Sequence, residues 1–281
     1  MLIKQLIIIS VVLIFFMETN FAYANTLSNG NNIAKPRWEL GAVIADINTP
    51  VYPASSDQHN KLLAVPYFIY RGDIISIGDK SIVSAKAVEE DFFKIDISLN
   101  AAFNAKSSDS SVRVGMPELD YLFELGPKFS FLVDKDTSSE TWLDLQFRSV
   151  FSTDFSSIKH RGYIFEPKIY WQADNFLIEN SKTTISISST FATKKNHEYF
   201  YSVDTDYVTE ERSLYSANSG YLGSEVTIGQ NVKIDQEWNI FLGLTLNSWQ
   251  GSKSEDSPLF EEKFNYSFIL GVKWDFYRSN F

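Results

Sequence analysis

The feature that most constrains the fold is a strict two-residue alternation that recurs in long runs. The last run places an apolar or aromatic side chain at every second position, at Tyr266, Phe268, Leu270, Val272, Trp274 and Phe276, and mostly small or charged residues lie between them. Such alternation is typical of a β-strand that separates two different environments. A soluble sheet meets this condition, and so does a barrel wall with lipid on one side and water on the other.

Comparable alternation occurs in six further stretches, at residues 92–105, 119–133, 141–151, 162–171, 222–234 and 238–249, and more weakly at 183–191. The longer runs reach about ten to fourteen residues, whereas strands of soluble sheets usually have about five or six. A tilted transmembrane strand needs about 9–11 residues. The lengths favour a membrane barrel over a soluble sandwich, which stays the structural alternative.

The alternation also predicts which side chains face lipid and which face the lumen. In the run at 92–105, Phe93 to Phe103 at odd positions form the predicted lipid face, and Leu145 and Phe147 belong to the same face of their run. Charges of both signs occupy the opposite face and suit a wet lumen with ion pairs between strands. The predicted lumen charges are Glu124, Lys128, Asp144, Arg148, Glu166 and Lys168.

Long and short connections alternate along the chain. The predicted long loops are residues 48–61, 106–118, 152–159, 194–219 and 252–262, and the predicted short turns are 88–91, 134–140, 173–175 and 235–237. Outer-membrane barrels have short periplasmic turns and longer external loops. Residues 74–88 form one strand or a hairpin broken at 78–80, giving eleven or twelve strands. Because such barrels have even strand numbers, we expect an all-β, antiparallel, up-and-down transmembrane barrel of about twelve strands.

The N-terminal residues have the pattern of a secretion signal. Lys4 precedes an apolar run at residues 6–17, and Ala22-Tyr23-Ala24 is a small-x-small cleavage site. This pattern predicts a signal peptide at 1–24, a short segment at 25–35 and a barrel at 36–281. We therefore expect the mature protein in the cell outer membrane.

Composition excludes some functions. The net charge of −10 opposes nucleic-acid binding, and the chain has no cysteine. His59 and His197 fall in predicted loops without a second ligand at metal spacing, so we expect no metal and no cofactor. The exposed acidic stretch between Asp204 and Glu211 is predicted to be a solvated loop.

A hydrolase is a minor alternative. Ser156, Ser157, His160 and Glu166 lie close in sequence, but a nucleophile needs a base within hydrogen-bond reach and a third group to orient it. No lipase-like motif surrounds these residues, so we predict a protein that is not an enzyme.

Three stretches carry a family resemblance. The first opens the predicted barrel, the second is the Tyr-rich stretch at 197–244, and the third is an Asp-Ser-Pro-Leu segment. Their motif residues in the first and third stretches are Trp38, Gly41, Pro50, Tyr52, Pro66, Tyr70, Gly72, Asp256, Ser257 and Pro258. In this order and spacing they resemble the MltA-interacting protein family, also called MipA/OmpV. The alternating run from Tyr266 to Phe276 is similar to a barrel-assembly signal, and we expect residues 277–281 to be a periplasmic extension.

The resemblance implies a non-enzymatic scaffold in peptidoglycan assembly. Such a scaffold contacts outer-membrane lipid and links a murein lytic transglycosylase to a bifunctional murein synthase. The residues leave two alternatives open: a small diffusion pore for polar solutes, and a surface adhesin or immunogen acting through the external loops. Arg71-Gly72-Asp73 is interpreted as a tight turn rather than an adhesion motif.

Overall fold

The computed structural model describes residues 36–71, 75–77, 83–85, 88–90 and 92–279. The predicted signal peptide at 1–24, the segment at 25–35, the motif residue Gly72 and the terminal Phe281 lie outside the described residues. Within these ranges, no helix combines the length and apolar character needed to cross a membrane.

Long antiparallel strands form more than half of the described structure. The ten long strands are β1 (Trp38–Pro50), β2 (Gln58–Arg71), β6 (Phe93–Ala102), β7 (Tyr121–Lys135), β8 (Ser139–Thr153), β9 (Ile158–Asp174), β10 (Ser181–Ala192), β11 (Gly220–Lys233), β12 (Trp238–Ser248) and β13 (Phe264–Arg278). Three strands of three residues are β3 (Ile75–Ile77), β4 (Val83–Ala85) and β5 (Val88–Glu90). The loops hold one helix, α1 (Lys194–Tyr201), and 3-10 turns at Ser107–Asp109, Ser111–Arg113 and Thr205–Tyr207.

The strands form one curled sheet with up-and-down connectivity. Each long strand pairs with its chain neighbours, and β1 pairs with β13. The edges of the sheet are β4 and β5, which are separated in the chain only by residues 86 and 87, and β4 also lies beside β6. The predicted all-β antiparallel barrel wall is confirmed.

The region between β2 and β6 resolves one open prediction and corrects another. β3 pairs with β4 through Ile77 and Val83, which confirms the hairpin alternative for residues 74–88. The predicted short turn at 88–91 is wrong, because β5 pairs with the start of β6.

All long loops lie at one end of the sheet, which we call the cap end, and the short turns lie at the other, the turn end. The cap-end connections are residues 51–57, 103–120, 154–157, 193–219 and 249–263, and turn-end connections include 136–138, 175–180 and 234–237. The connection predicted at 152–159 is not long. It is a tight hairpin because the Asp154 carboxylate accepts from the backbone amides of Ser156 and Ser157.

The outer face of the sheet is apolar. Leu145 is half-buried and Phe147 exposed on this face, while Gln146 and Arg148 are buried on the inner face, as the alternation predicted. At the turn end the rings of Trp238 and Trp274 stack with centroids 5.5 Å apart. Aromatic pairs at the rim of an apolar band are typical of outer-membrane barrels.

The inner face of β1 and β2 departs from the expected polar lumen. Val43, Ile47, Val65 and Tyr67 are buried there in one apolar cluster with Phe241. Both faces of these strands are therefore apolar, which explains why the alternation in this part of the sequence is blurred. Phe103 was predicted to face lipid, and this is wrong: β6 ends at Ala102, and Phe103 packs against the inner cluster.

The last strand runs further than expected. β13 continues to Arg278, and Tyr277 and Arg278 pair with Leu40 and Glu39 of β1 across a bulge. Residues 277 and 278 are therefore part of the wall, and the prediction that the strand stops at Phe276 is wrong. The bulge shifts the register, so that Phe276 and Tyr277 are both exposed.

Candidate functional site

The loops at the cap end fold into a compact cover, here named the cap, formed by residues 51–57, 103–120, 193–219 and 249–263. Its buried centre includes Tyr52, Tyr201, Val203 and Leu259. This centre continues onto inward-facing side chains near the cap ends of five strands, namely Leu122, Val150, Ile164, Ala192 and Leu222. The cap is thus anchored on the inner wall and covers this end of the lumen.

All three stretches that carry the family resemblance meet in the cap. The Tyr52 hydroxyl donates to the Leu259 carbonyl at 2.7 Å, and the Ser257 hydroxyl donates to the Tyr201 carbonyl at 2.7 Å. The Tyr201 hydroxyl in turn donates to the Pro53 carbonyl at 2.8 Å. Burial raises the pKa of Tyr52 and of Tyr201, so both phenols stay neutral donors.

Helix α1 is the central element of the cap. The His197 side chain is fully buried, with Nδ1 at 2.8 Å from the Ser254 hydroxyl and Nε2 at 3.2 Å from the Gly220 carbonyl. Burial lowers the pKa of His197, which favours the neutral imidazole. His197 thus lies in the predicted connection between β10 and β11, although it is buried there, whereas the predicted loop position of His59 is wrong, because His59 lies on β2.

Two arginines tie the cap loops together. Arg113 donates to the Phe200 carbonyl at 2.8 Å, and its guanidinium lies 5.5 Å from the Tyr52 ring centroid. Arg212 donates to the Val112 carbonyl at 2.7 Å. Both side chains are buried, and their hydrogen bonds go to main-chain carbonyls that would otherwise lack donors. They join the loop at 103–120 to the loop at 193–219.

Below the cap, the inner wall of β6 to β9 carries an ion network. Arg148 donates through Nε to Glu124 at 2.7 Å and through an η nitrogen to Glu166 at 2.6 Å. The same guanidinium donates to the Gln146 side-chain oxygen at 2.9 Å. The predicted pairing of lumen charges between strands is confirmed for these residues. Charge-assisted bonds of this geometry are among the stronger hydrogen bonds in proteins.

A cavity of about 380 Å³ lies between the ion network, the cap and the apolar cluster of β1 and β2. Glu124, Arg148 and Glu166 line its polar side, and Ile47 and Ile269 line the apolar side. The cap contributes Tyr52, Asn196 and Phe200. Packed side chains thus fill part of the lumen, and a space with one polar and one apolar wall occupies another part.

The remaining motif residues lie on β1 and β2. Trp38 and Tyr70 pack ring against ring at the turn end, with centroids 4.3 Å apart. At Gly41, an added Cβ would collide with the Tyr67 ring and the Trp274 carbonyl, so only glycine fits there. Pro66 lies opposite Ala42 on the outer face, and Pro50 ends β1. The described motif residues therefore lie in two places, on the first two strands of the wall and in the cap.

The residues predicted as the assembly signal all lie on β13. Tyr266, Phe268, Leu270, Trp274 and Phe276 are exposed on the outer face, and Val272 is half-buried in the same row. Their role in assembly stays a prediction. The hydrolase candidates do not assemble: Ser156 donates to Asp154, His160 packs against the rings of Phe151 and Tyr163, and Glu166 pairs with Arg148.

Sequence reasoning missed the cap and its polar anchors. Arg113 and Arg212 are isolated residues in the cap loops, and no periodicity marks them as buried. The Tyr-rich stretch near Tyr201 was a usable signal, because buried tyrosines need a hydrogen-bond partner.

Comparison with known proteins places the chain in a family. Residues 40–276 match the family model described as MltA-interacting protein MipA. No curated protein matches the chain at a significant level. Among solved structures, an outer-membrane channel from Pseudomonas putida F1 aligns with a TM-score of 0.47 at 10% identity, covering 89% of this chain and 100% of the other. The NanC porin aligns with a TM-score of 0.36 at 8% identity, covering 85% and 98%.

The family match covers most of the chain and includes both the wall and the cap. The sheet it covers has an apolar outer face and long antiparallel strands. The chain therefore belongs to the MltA-interacting protein family and is an outer-membrane β-barrel protein.

Proposed function

We propose that this protein is a non-enzymatic scaffold whose turn end binds a murein lytic transglycosylase and brings it to a bifunctional murein synthase. The family description supports the first partner, since it names an interaction with MltA. Short turns face the periplasm in outer-membrane barrels, which is the compartment of murein enzymes.

One observation carries the proposal: the turn at 175–180 presents an apolar tip to solvent. Phe176, Leu177 and Ile178 are consecutive and all exposed, Leu177 at 64%. Ile234 in the adjacent turn is also exposed, and the two turns are joined by the hydrogen bond from the Lys233 amide to the Asn180 carbonyl. Three exposed apolar residues in succession are costly unless they serve a binding surface.

The lumen supports the same proposal. The cap covers one end, the Arg148 network occupies one wall, and the apolar cluster fills the space beside β1 and β2. A barrel filled in this way is built as a stable platform rather than as a wide water-filled channel.

The test is capture of a purified MltA-type lytic transglycosylase by the folded protein in detergent. Leu177→Asp with Ile178→Asp should weaken capture at least tenfold, because charge replaces the apolar contact. Thr137→Asp, in another turn at the same end, is the matched control and should capture normally. Equal capture by both variants would remove the turn at 175–180 from the binding surface. No capture by the unchanged protein would refute the scaffold.

A second candidate, a pore for small polar solutes, is favoured by the cavity. Its walls carry Lys128, Lys168 and Glu225, so charged groups line a space inside the barrel. If the cap opens, this space becomes part of an aqueous path through the lumen of the barrel. Swelling of protein-loaded liposomes in iso-osmotic glycine tests this: rapid swelling supports the pore, and no swelling supports the scaffold alone.

A further inference from the structure

A group of exposed lysines lies on the rim of the cap, where α1 leaves the wall. Lys194 and Lys195 are exposed in the first turn of α1, directly after β10, and Lys159 is exposed near the start of β9. The start of α1 is held beside β9 by Thr193, whose amide donates to the Tyr163 carbonyl at 3.0 Å. The three lysines are here named the rim patch.

The pairing of β9 with β10 brings the three side chains together. It ends at Ile164 and Ala192, so α1 begins beside the bulge of β9 at Gly162. The Lys195 Cβ lies 3.2 Å from the position that a Cβ on Gly162 would occupy. Lys159 is three residues from Gly162 on the same strand, about 10 Å at the usual rise of a strand. Two lysine side chains can span this distance and reach one ligand.

The positive charge of the rim patch is only partly neutralised. Among the described residues, neither Lys159 nor Lys195 has an ion pair, and Lys194 has one exposed contact of 3.6 Å with Glu198. Exposed pairs of this kind contribute little to stability. The nearby Asp154 carboxylate is occupied by backbone amides of its own turn. The rim patch therefore keeps a surplus of positive charge in a chain whose net charge is −10.

The start of α1 adds to this positive charge. Its N-cap residue, Thr193, makes no side-chain hydrogen bond to the helix, and its hydroxyl accepts instead from the Tyr163 amide at 2.9 Å. The first turn has no acidic residue. Because the N-terminal end of a helix carries a partial positive charge, Lys194 and Lys195 are unfavourable there unless an anion is bound beside them.

The position of the rim patch indicates the source of this anion. Tyr163 and Phe191, next to the start of α1, are exposed on the outer face of the wall, and Ile158 is exposed next to Lys159. The long loops of outer-membrane barrels lie outside the cell, so this rim meets the headgroups of the outer leaflet. Lysines at the edge of a membrane attract anionic lipid headgroups.

We propose that the rim patch binds the phosphate of a phosphorylated lipid headgroup in the outer leaflet. The acyl chains of this lipid lie against the exposed side chains of Tyr163 and Ile158. The site does not depend on the scaffold role, because it lies at the cap end, opposite the apolar turn, and takes a lipid rather than a protein.

Native mass spectrometry of the folded mature protein in detergent measures the binding. Three probes separate charge from lipid: lipid A, which carries phosphates and acyl chains; diglucosyl diacylglycerol, which is a neutral glycolipid; and inorganic pyrophosphate, which has no acyl chain. We expect lipid A to bind at least about tenfold more tightly than the neutral glycolipid. Pyrophosphate at equal concentration should not displace it.

Replacing the whole rim patch by glutamine, in the triple variant Lys159→Gln, Lys194→Gln and Lys195→Gln, should weaken lipid A binding by about tenfold or more, because three positive charges are lost. The control changes three other exposed lysines of the cap, Lys106→Gln, Lys253→Gln and Lys263→Gln. It alters the net charge equally and should bind lipid A normally. Capture of the lytic transglycosylase should be unchanged in the rim-patch variant, which separates this test from that of the scaffold.

The heat-modifiable gel shift shows whether each variant is folded. If the triple variant does not fold, Lys195→Gln alone decides and should weaken lipid A binding several-fold. Equal lipid A affinity in the folded rim-patch variant and the unchanged protein, or the same loss in the control, would overturn the proposal. Equal affinity for the neutral glycolipid, or full displacement of lipid A by pyrophosphate, would overturn it as well.

Discussion

The Tyr52 hydroxyl and the Leu259 carbonyl are joined by a 2.7 Å hydrogen bond across 207 positions of sequence. Tyr52 belongs to the first family-motif stretch and Leu259 directly follows the Asp-Ser-Pro of the last. The same phenol lies 3.2 Å from the Glu261 carboxylate. Two stretches that resemble the family are therefore joined by a contact that holds the first and last cap loops together.

Replacing Tyr52 by Phe should destabilise the cap by about 1–2 kcal/mol, because the buried Leu259 carbonyl loses its donor. The midpoint of urea unfolding in lipid vesicles measures this loss. Tyr163→Phe is the control, since Tyr163 is exposed on the outer side. Equal midpoints for the two variants would mean that the Tyr52 bond contributes nothing.

Arg148→Met should cost about 3–5 kcal/mol, because it leaves Glu124 and Glu166 buried without their cation. Adding Glu124→Gln and Glu166→Gln should recover much of the loss, since neutral amides need no counter-charge. Urea midpoints of the single and triple variants decide this. If the triple variant is as unstable as the single one, packing by the Arg148 side chain matters more than charge.

The two faces of β12 should respond differently to charge. Leu244→Arg on the outer face should cost about 2–4 kcal/mol near the middle of the bilayer. Thr245→Arg should cost less, because Thr245 lines the cavity near Glu225. Comparison of their unfolding free energies in lipid vesicles checks the strand register, which equal costs would contradict.

Acid should loosen the cap. His197 has a lowered pKa in the folded protein, so the unfolded chain binds its proton more readily. Its contribution to stability is therefore full above the ordinary pKa of about 6.5 and falls as pH drops below it. Limited trypsin digestion of the cap loops at pH 7.5 and 5.5 measures this. His197→Gln should remove most of the difference, and an unchanged difference would assign the effect to other groups.

The end of β13 should tolerate only a short truncation. Removal of Asn280 and Phe281 leaves the pairing of Tyr277 and Arg278 with β1 intact and should permit insertion. Removal of residues 277–281 also deletes that pairing and the bond from Arg278 to Asp275 at 2.6 Å, and should reduce the folded band. Trp274→Asp with Phe276→Asp should block insertion. The heat-modifiable shift in isolated outer membranes is the measurement; loss of the shift after removing two residues would make Phe281 the assembly signal.

The wall could be predicted from sequence because each strand such as β8 or β12 has one lipid-facing and one polar face, and period-two alternation records that difference directly. β1 and β2 do not show this alternation, because Val43 and Val65 belong to an apolar cluster inside the barrel. The last residue of β13 was predicted wrongly, because a bulge changes which residues face outward and no local sequence pattern marks a bulge.

The cap could not be predicted because its contacts join positions far apart in the chain. Arg113 binds Phe200 and Tyr201 binds Pro53, and neither pair is linked by spacing or periodicity. The order of the motifs along the sequence identified stretches that form the cap, such as Pro50 with Tyr52 and Asp256 to Pro258. It did not show that these stretches contact each other. Asn196 carries no sequence signal at all, since its burial on α1 comes only from tertiary packing.

We conclude that this barrel has a lumen that is covered at one end by its own loops and partly filled by its own side chains. Single-channel recording of the purified protein in planar lipid bilayers tests it most directly. We expect the folded protein, identified by its heat-modifiable gel shift, to insert into the bilayer without stable stepwise conductance. Reproducible ohmic steps from the folded, unmodified protein would contradict it and would favour the pore.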